Sequence, residues 1–349
     1  MRRAIQLALN GRSGAAPNPM VGAVVVHNDR IIGEGYHRKC GGPHAEVNAI
    51  RSVRQPELLG ESTIYVSLEP CAHYGKTPPC ADLIIEKGIP RVVIGCRDPF
   101  AKVDGLGIKK LQDAGCEVVV GVLEAECLAL NRRFITFHTA HRPFVTLKWA
   151  QSRDGFIGEE CRVQSVECRV EGECRVQSVE CRVEEECRVQ SVECRPVVFS
   201  TPLTQTLVHR MRALSDAILV GGGTARSDNP SLTVRRWTGK NPLRVVIDTH
   251  GDLPHDLHLF NDEAETLVWP DWNLDALMKA LYERGVQTLL VEGGSHVLQR
   301  FLESGLWDEI RVETAPVTLG KGIPAPALPS CTQVSSVCYG QNEVRLYVR

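Results

Sequence analysis

Residues 43–80 read PHAEVNAIRSVRQPELLGESTIYVSLEPCAHYGKTPPC. A strand-like run, Thr63–Leu68, lies between two helix-like starts, one at Pro43-His44 and the other at Pro79-Cys80. Strands set between helices in this order point to an α/β sheet and not to an all-β or all-α fold. The alternation continues outward, with strand-like runs at Val21–Val26, Arg91–Cys96 and Cys116–Val120 and helical patterns from about His44, from about Cys80 and near Gly107–Ala114. This order predicts a three-layer, helix-covered sheet.

A break follows at Arg142-Pro143, just before a new apolar run, Phe144–Trp149. Beyond it the alternation resumes. Strands are expected at Ala217–Val220, Leu243–Asp248, Thr266–Trp269, Gln287–Val291 and Glu309–Thr314, and helices at Leu274–Glu283 and Ser295–Glu303. The expected organisation is therefore two α/β domains, 1–142 and 143–349, as the 349-residue length also suggests.

Within the second domain, units of the type CRVQSVE and CRVEGE alternate over 161–195, placing cysteines at 161, 168, 174, 181, 187 and 194. The period is too short for a solenoid unit. It reads as a low-complexity insertion that lengthens a surface loop at modest entropic cost, with a soft-metal tether or redox array as the alternative.

Composition narrows the function. At 43% apolar and 23% charged residues with a net charge of −2, the chain has the make-up of a folded soluble protein. Its Lys and Arg are scattered, so no basic stripe calls for a nucleic acid partner, and a small-molecule substrate is expected. No stretch approaches a membrane span, and the N-terminus does not read as a signal peptide, which predicts a cytoplasmic protein. Of the fourteen cysteines, six lie in the repeat and two in a metal-type motif. The remainder, Cys40, Cys96 and Cys116 among them, read as small buried hydrophobes without disulfides.

The chemistry lies in the opening stretch. A catalytic zinc takes about three protein ligands and leaves one position for water, and one imidazole with two thiolates meets that need. His44, Cys71 and Cys80 are the expected ligands of one zinc ion. Helix N-termini favour thiolates, and His44 is expected in the first turn of its helix. Glu46, two residues on, is free to carry a proton from water to a departing amine, the general acid/base role of the non-ligand Glu in zinc deaminases. The usual two residues between the cysteines are eight here. A closed structural zinc site with His73 as fourth ligand is the competing reading.

The second domain lacks G-x-G-x-x-G but has two glycine turns, Gly221-Gly222-Gly223-Thr224 and Glu292-Gly293-Gly294-Ser295, each following a strand. Such turns let phosphates approach the backbone N–H groups at a helix start.

Taken together, Pro17-Asn18-Pro19-Met20-Val21-Gly22, Gly35-Tyr36-His37, His44-Ala45-Glu46 and the loop Glu69–Cys80 resemble the bifunctional riboflavin-biosynthesis deaminase/reductase family. Thr146-Leu147-Lys148, Ser152-Arg153-Asp154-Gly155, Arg212-Ala213 and Asp228–Arg235 resemble its reductase half. The resemblance implies a cytidine-deaminase-like first domain and a dihydrofolate-reductase-like second. It implies deamination of a diaminopyrimidine ribotide, with Asn18, His37, His73 and Lys76 contacting its base and ribose phosphate. It then implies NADPH-dependent reduction of the ribosyl chain. NADPH contacts would fall at Ala150, Thr224, Asp228, Gly294, Ser295, His296, Val297, Leu298, Gln299 and Arg300. Substrate contacts would fall at Arg212, Leu232, Arg235 and Glu292, arginine being suited to a sugar phosphate by its planar fork. Members of the family commonly form homo-oligomers.

Two departures stand out. Phe100 takes the place after Asp98-Pro99 where the family often has Asn, and Cys194-Arg195-Pro196-Val197-Val198 replaces a short Ser-containing segment ending in Trp. A deaminase whose reductase half is impaired is thus one alternative, and a nucleic-acid deaminase that flips a base into the same zinc site is another. A non-catalytic cysteine-rich metal protein is a third. It would lose most of its metal on deletion of 161–195, whereas the His-Cys-Cys reading expects one zinc per chain to remain, as metal analysis of the deletion variant would show.

Overall fold

The computed structural model describes residues 1–74, 78–100, 103–159, 162–163, 166–167, 188–189, 192–193 and 197–349. It divides into two compact units, Met1–Phe144 with Asp275–Leu289, and Val145–Leu274 with Leu290–Arg349. The helix Leu274–Glu283, expected with the second half, falls almost wholly in the first unit, where Tyr282 packs on Phe137 with ring centroids 4.6 Å apart.

In the first unit, strands β1 (Gly22–His27), β2 (Arg30–Tyr36), β3 (Thr63–Leu68), β4 (Arg91–Cys96) and β5 (Glu117–Val120) form one sheet in the order β2-β1-β3-β4-β5. β1 runs antiparallel to both neighbours, and β3, β4 and β5 are parallel. Successive residues of β1 point to opposite faces. Ala23 and Val25 join the core beneath the helices α2 (Ala45–Arg51), α3 (Cys80–Glu86) and α4 (Leu106–Asp113), while Val24 packs beneath α1 (Arg2–Ala8). The expected three layers are thereby built from one alternating sequence.

β2, which the sequence reading left out, is the exception. Its run RIIGEGY looks like a turn because of Gly33 and Gly35, yet a Cβ at Gly35 would overlap the backbone of Ala45 and Ala49. Glycine is there so that α2, and the residues that open it, can lie directly against the strand.

The second unit holds an eight-stranded sheet. Numbering on in chain order, its strands are β6 (Phe144–Gln151), β7 (Ala217–Gly221), β8 (Leu243–Ile247), β9 (Thr266–Trp269), β10 (Thr288–Val291), β11 (Glu309–Thr314), β12 (Thr332–Tyr339) and β13 (Asn342–Val348). They are ordered β9-β8-β7-β10-β6-β11-β13-β12. β7, β8 and β9 are parallel, β11 is parallel to β6, and β13 is antiparallel to β11 and β12. Both units are of the expected α/β class.

At the repeat, Arg162–Val163 pairs antiparallel with Val192–Glu193 and Val166–Glu167 with Arg188–Val189. Its six cysteines lie outside the described residues. The eight described cysteines are all free, and they correct one expectation: Cys96 and Cys127 are buried, but Cys116 and Cys331 are half-buried and Cys40 and Cys338 are exposed. Cys40 belongs to a glycine-containing turn held to Gly14 by its backbone N–H, not to an element with an inner face. Among the described residues, no helix is long and apolar enough to cross a membrane.

Replacing Gly35 by Ala should lower stability by at least about 2 kcal/mol, because the obstruction is backbone and not a movable side chain. Thermal denaturation would measure this, and an unchanged Tm would show that α2 can retreat from β2.

Candidate functional site

Three chain segments converge at the carboxyl end of β3. His44 is the N-cap of α2, just before the first turn in which it was expected. Cys71 follows β3 after Glu69-Pro70, and Cys80 is the first residue of α3. His44 Nδ1 lies 3.6 Å from Cys71 Sγ and 3.3 Å from Cys80 Sγ, and the three ligand atoms are all within 4.8 Å of one another. A tetrahedral zinc with its usual N and S distances separates such ligands by about 3.5 Å, so the spacing fits.

Electrostatics supports the same fit. The Cys71 thiol is pulled down to about 4, first by hydrogen bonding with the Cys80 thiol, then by His44 and the Cys80 backbone N–H, whose nitrogen is 3.3 Å away. The Cys80 thiol is pushed up, first by its hydrogen bond to Cys71, then by burial and by the charges of Glu46 and Cys71. His44 is held up to about 9, chiefly by its hydrogen bond to Cys71. Two thiols this close sustain one negative charge alone, and a divalent cation among them is what allows both to ionise.

Glu46, 3% exposed, lies in the first turn of α2 and interacts with the Cys80 thiol. Burial raises its carboxyl to about 7, the range in which a group can both take and give a proton.

Beside the cluster, the His37 and His44 rings meet edge-on at 5.4 Å. His37 Nδ1 is 3.1 Å from the Pro43 carbonyl, which can only accept, so that nitrogen carries the proton. Burial lowers the His37 pKa and keeps the ring neutral, leaving Nε2 to accept from Asn18 Nδ2 at 3.2 Å. Asn18 and His37, far apart in sequence, thus stand together. His73 Nδ1 is buried without a hydrogen-bond partner, and its ring faces Phe100 at 6.3 Å. Lys76 lies outside the described residues.

Glu69 has a role that its place in the motif did not reveal. Its Oε2 accepts from the backbone N–H groups of Asp98 and Gly105, and its Oε1 from those of Gly107 and Ile108, at 3.0–3.3 Å. The carboxylate caps the start of α4 from a distance and fixes the chain two residues before Cys71. Asn131 does the same for the opposite wall, exchanging two hydrogen bonds with the Met20 backbone.

In the second unit the two glycine turns meet, the Gly294 N–H donating to Thr224 Oγ1 at 3.0 Å. Ser295 opens the helix Ser295–Ser304, and its hydroxyl donates to the Pro324 carbonyl. A Cβ at Gly223 would touch nothing within 4 Å, so the turn leaves open space of the kind a cofactor phosphate needs. In the same helix Val297 and Leu298 are buried, Gln299 donates to Glu303, and Arg300 stacks over Trp272 beside His296.

Arg212 and Glu292 form a fork-to-fork pair with both contacts at 2.9 Å, and Lys148 Nζ is 4.0 Å from the same carboxylate. Burial alone would raise Glu292, but Arg212 and Lys148 outweigh it and hold the carboxyl at about 2. The Arg212 fork is thereby held in place by Glu292. Arg235 donates to Ser231, while Leu232 is buried in the core with φ +54°, a conformation that costs a branched residue energy. Ala150 is the last residue but one of β6, and Asp228 ends the short helix Gly222–Asp228.

A His-Cys-Cys cluster at helix starts with a buried glutamate beside it defines a zinc-dependent deaminase fold in the first unit. The profile of the cytidine and deoxycytidylate deaminase zinc-binding region matches residues 1–96, and that of the RibD C-terminal domain matches residues 143–341. The chain belongs to the RibD family of riboflavin-biosynthesis proteins. It is 36% identical over 350 residues to the riboflavin biosynthesis protein RibD of Aquifex aeolicus, covering 93% of this chain and 88% of that one. To the Escherichia coli protein of the same name it is 31% identical, covering 92% and 88%. Among solved structures, a diaminohydroxyphosphoribosylaminopyrimidine deaminase/5-amino-6-(5-phosphoribosylamino)uracil reductase from Thermotoga maritima is similar, with TM-score 0.79, 36% identity and coverage of 100% and 97%. Zinc and NADPH are the cofactors of this family.

Glu69→Ala would leave four backbone N–H groups without their acceptor, and a loss of about 2–4 kcal/mol is expected in urea denaturation. A midpoint equal to that of the unaltered protein would mean that water replaces the carboxylate at no cost.

Proposed function

We propose that this chain carries out two consecutive steps of riboflavin biosynthesis. Residues 1–142 deaminate 2,5-diamino-6-ribosylamino-4(3H)-pyrimidinone 5′-phosphate, and residues 143–349, with the insertion at 161–195, reduce the ribosyl chain to give 5-amino-6-(5-phosphoribitylamino)uracil. The observation that carries the reading is the convergence of His44, Cys71 and Cys80 beside the buried Glu46. Those three side chains hold zinc, which when bound supplies Lewis acidity toward water. Glu46 takes a proton as the water oxygen bonds to the ring carbon, and delivers it to the amine as the carbon–nitrogen bond breaks, so that ammonia leaves and a carbonyl remains. Asn18, His37, His73 and Lys76 hold the base and its ribose phosphate.

In the reduction, NADPH provides the hydride when bound. Thr224, Gly294 and the following residues Ser295, His296, Val297, Leu298, Gln299 and Arg300 hold it, together with Ala150 and Asp228. Arg212, Leu232, Arg235 and Glu292 position the substrate, and Glu292, kept ionised by Arg212 and Lys148, accepts a hydrogen bond from a sugar hydroxyl. The reading places the enzyme in the cytoplasm, where NADPH and free ribotides meet, and as a homo-oligomer.

Incubation with the diaminopyrimidine ribotide should release ammonia with or without NADPH, and NADPH should be oxidised only after deamination. Glu46→Gln should retain zinc and lose ammonia release by a factor on the order of 10² to 10⁴, whereas Cys71→Ser should lose the metal. Glu292→Gln should leave ammonia release intact and slow NADPH oxidation about tenfold or more. Full-rate ammonia release by a zinc-loaded Glu46→Gln variant would sink the deaminase assignment, and ammonia without any NADPH oxidation would leave a deaminase alone.

A further inference from the structure

Residues 275–289 lie within the half of the sequence that the RibD C-terminal domain profile matches, yet they fold into the first unit. Gln287 shows what they do there. Its backbone is fixed on both sides. Before it, the end of the helix Leu274–Glu283 is closed by the Gly285 N–H on the Tyr282 carbonyl at 2.8 Å and the Val286 N–H on the Leu281 carbonyl at 3.0 Å. Val286 and Thr288, its two neighbours, are buried, and the Gln287 carbonyl accepts from the Phe144 N–H at 2.8 Å. From this fixed point the half-buried side chain reaches the Pro17 carbonyl, with its Nε2 at 2.9 Å. A carbonyl can only accept, so the NH2 end of the amide is the one turned to it.

The Pro17 carbonyl and the Asn18 N–H belong to one peptide unit, which is planar. Its N–H donates to the Ala15 carbonyl at 2.9 Å, so the plane that enters Asn18 is held at both edges, by Ala15 on one and by Gln287 on the other. That plane sets the direction in which the Asn18 side chain leaves the backbone. Beyond it, Asn131 holds Met20. The Asn18 amide then meets His37 Nε2 at 3.2 Å, and the His37 ring meets that of the ligand His44 edge-on. Of these holds on the loop, the one made by Gln287 comes from outside residues 1–142. Without that donor the peptide unit is held at one edge only.

We propose that Gln287 is a positioning residue of the deaminase site, acting through the Pro17-Asn18 peptide unit to set the Asn18 amide against His37. The inference rests on the reading of Asn18 as a substrate contact. It carries the support of that site into the half of the sequence assigned to the reduction.

Steady-state ammonia release by the full chain with the diaminopyrimidine ribotide tests this. Gln287→Ala should keep one zinc per chain and raise KM about 5- to 20-fold with kcat within about twofold, since Asn18 holds the substrate and does not touch the reacting atoms. Gln287→Glu keeps the length of the side chain but cannot donate when ionised, and should behave as Gln287→Ala does. Gln287→Lys, which can donate, should restore much of the loss. In an Asn18→Ala background, replacing Gln287 should raise KM no further, because the two residues act as one. An unchanged KM in Gln287→Ala overturns the proposal, as does the same rise in KM with and without Asn18, which would leave Gln287 a general structural role. Should Gln287→Ala not fold by circular dichroism, Gln287→Glu and Gln287→Lys decide by the same comparison. A KM unmoved by Asn18→Ala would refute the substrate contact and the proposal with it, whereas a KM raised by Asn18→Ala but not by Gln287→Ala would refute the role of Gln287 alone.

Discussion

Four backbone N–H groups drawn from the segment 98–108 close on the one carboxylate of Glu69. This fixes the exit from β3 against the start of α4, and with it the position from which the Cys71 thiol reaches His44 and Cys80. Without that anchor the loop between the cysteines would begin at an undefined point, and an arrangement that depends on separations of 3.3 and 3.6 Å could not be held. The glycines of β2 act on the other side of the cluster by letting α2 lie flat on the sheet. The site is therefore set by two backbone contacts that make no chemical contribution of their own.

The second unit solves a related problem with side chains. Glu292 is kept charged in a nearly enclosed place by Arg212 and Lys148, and the Glu313 carboxyl accepts from the Ser200 hydroxyl and the Asn342 amide. Buried charge of this kind contributes little to stability by itself. Its value is orientation: each carboxylate has one arrangement in which its partners are satisfied.

Much of this was legible in the sequence for identifiable reasons. His44, Glu46, Cys71 and Cys80 could be read because their spacing places them at the ends of elements, where short-range rules hold. His44 fell one position outside its expected turn because N-cap and first-turn residues differ only in backbone angles. β2 was missed because its glycines answer to a helix that the local sequence does not show. The role of Glu69 was hidden for the same reason, since its partners lie 29–39 residues away. Gln287 was hidden more deeply still, since the carbonyl it holds lies 270 residues away. The exposure of Cys40 follows from a turn that cysteine statistics do not describe.

The pairing of His37 with the Pro43 carbonyl has a consequence for Asn18 as well. It sets the polarity of a short relay, because the ring must give its proton to Pro43 and so must receive one from Asn18. The Asn18 amide is thereby prevented from turning over, because only its nitrogen can donate to His37 Nε2, and one hydrogen bond to a backbone carbonyl fixes the orientation of two side chains.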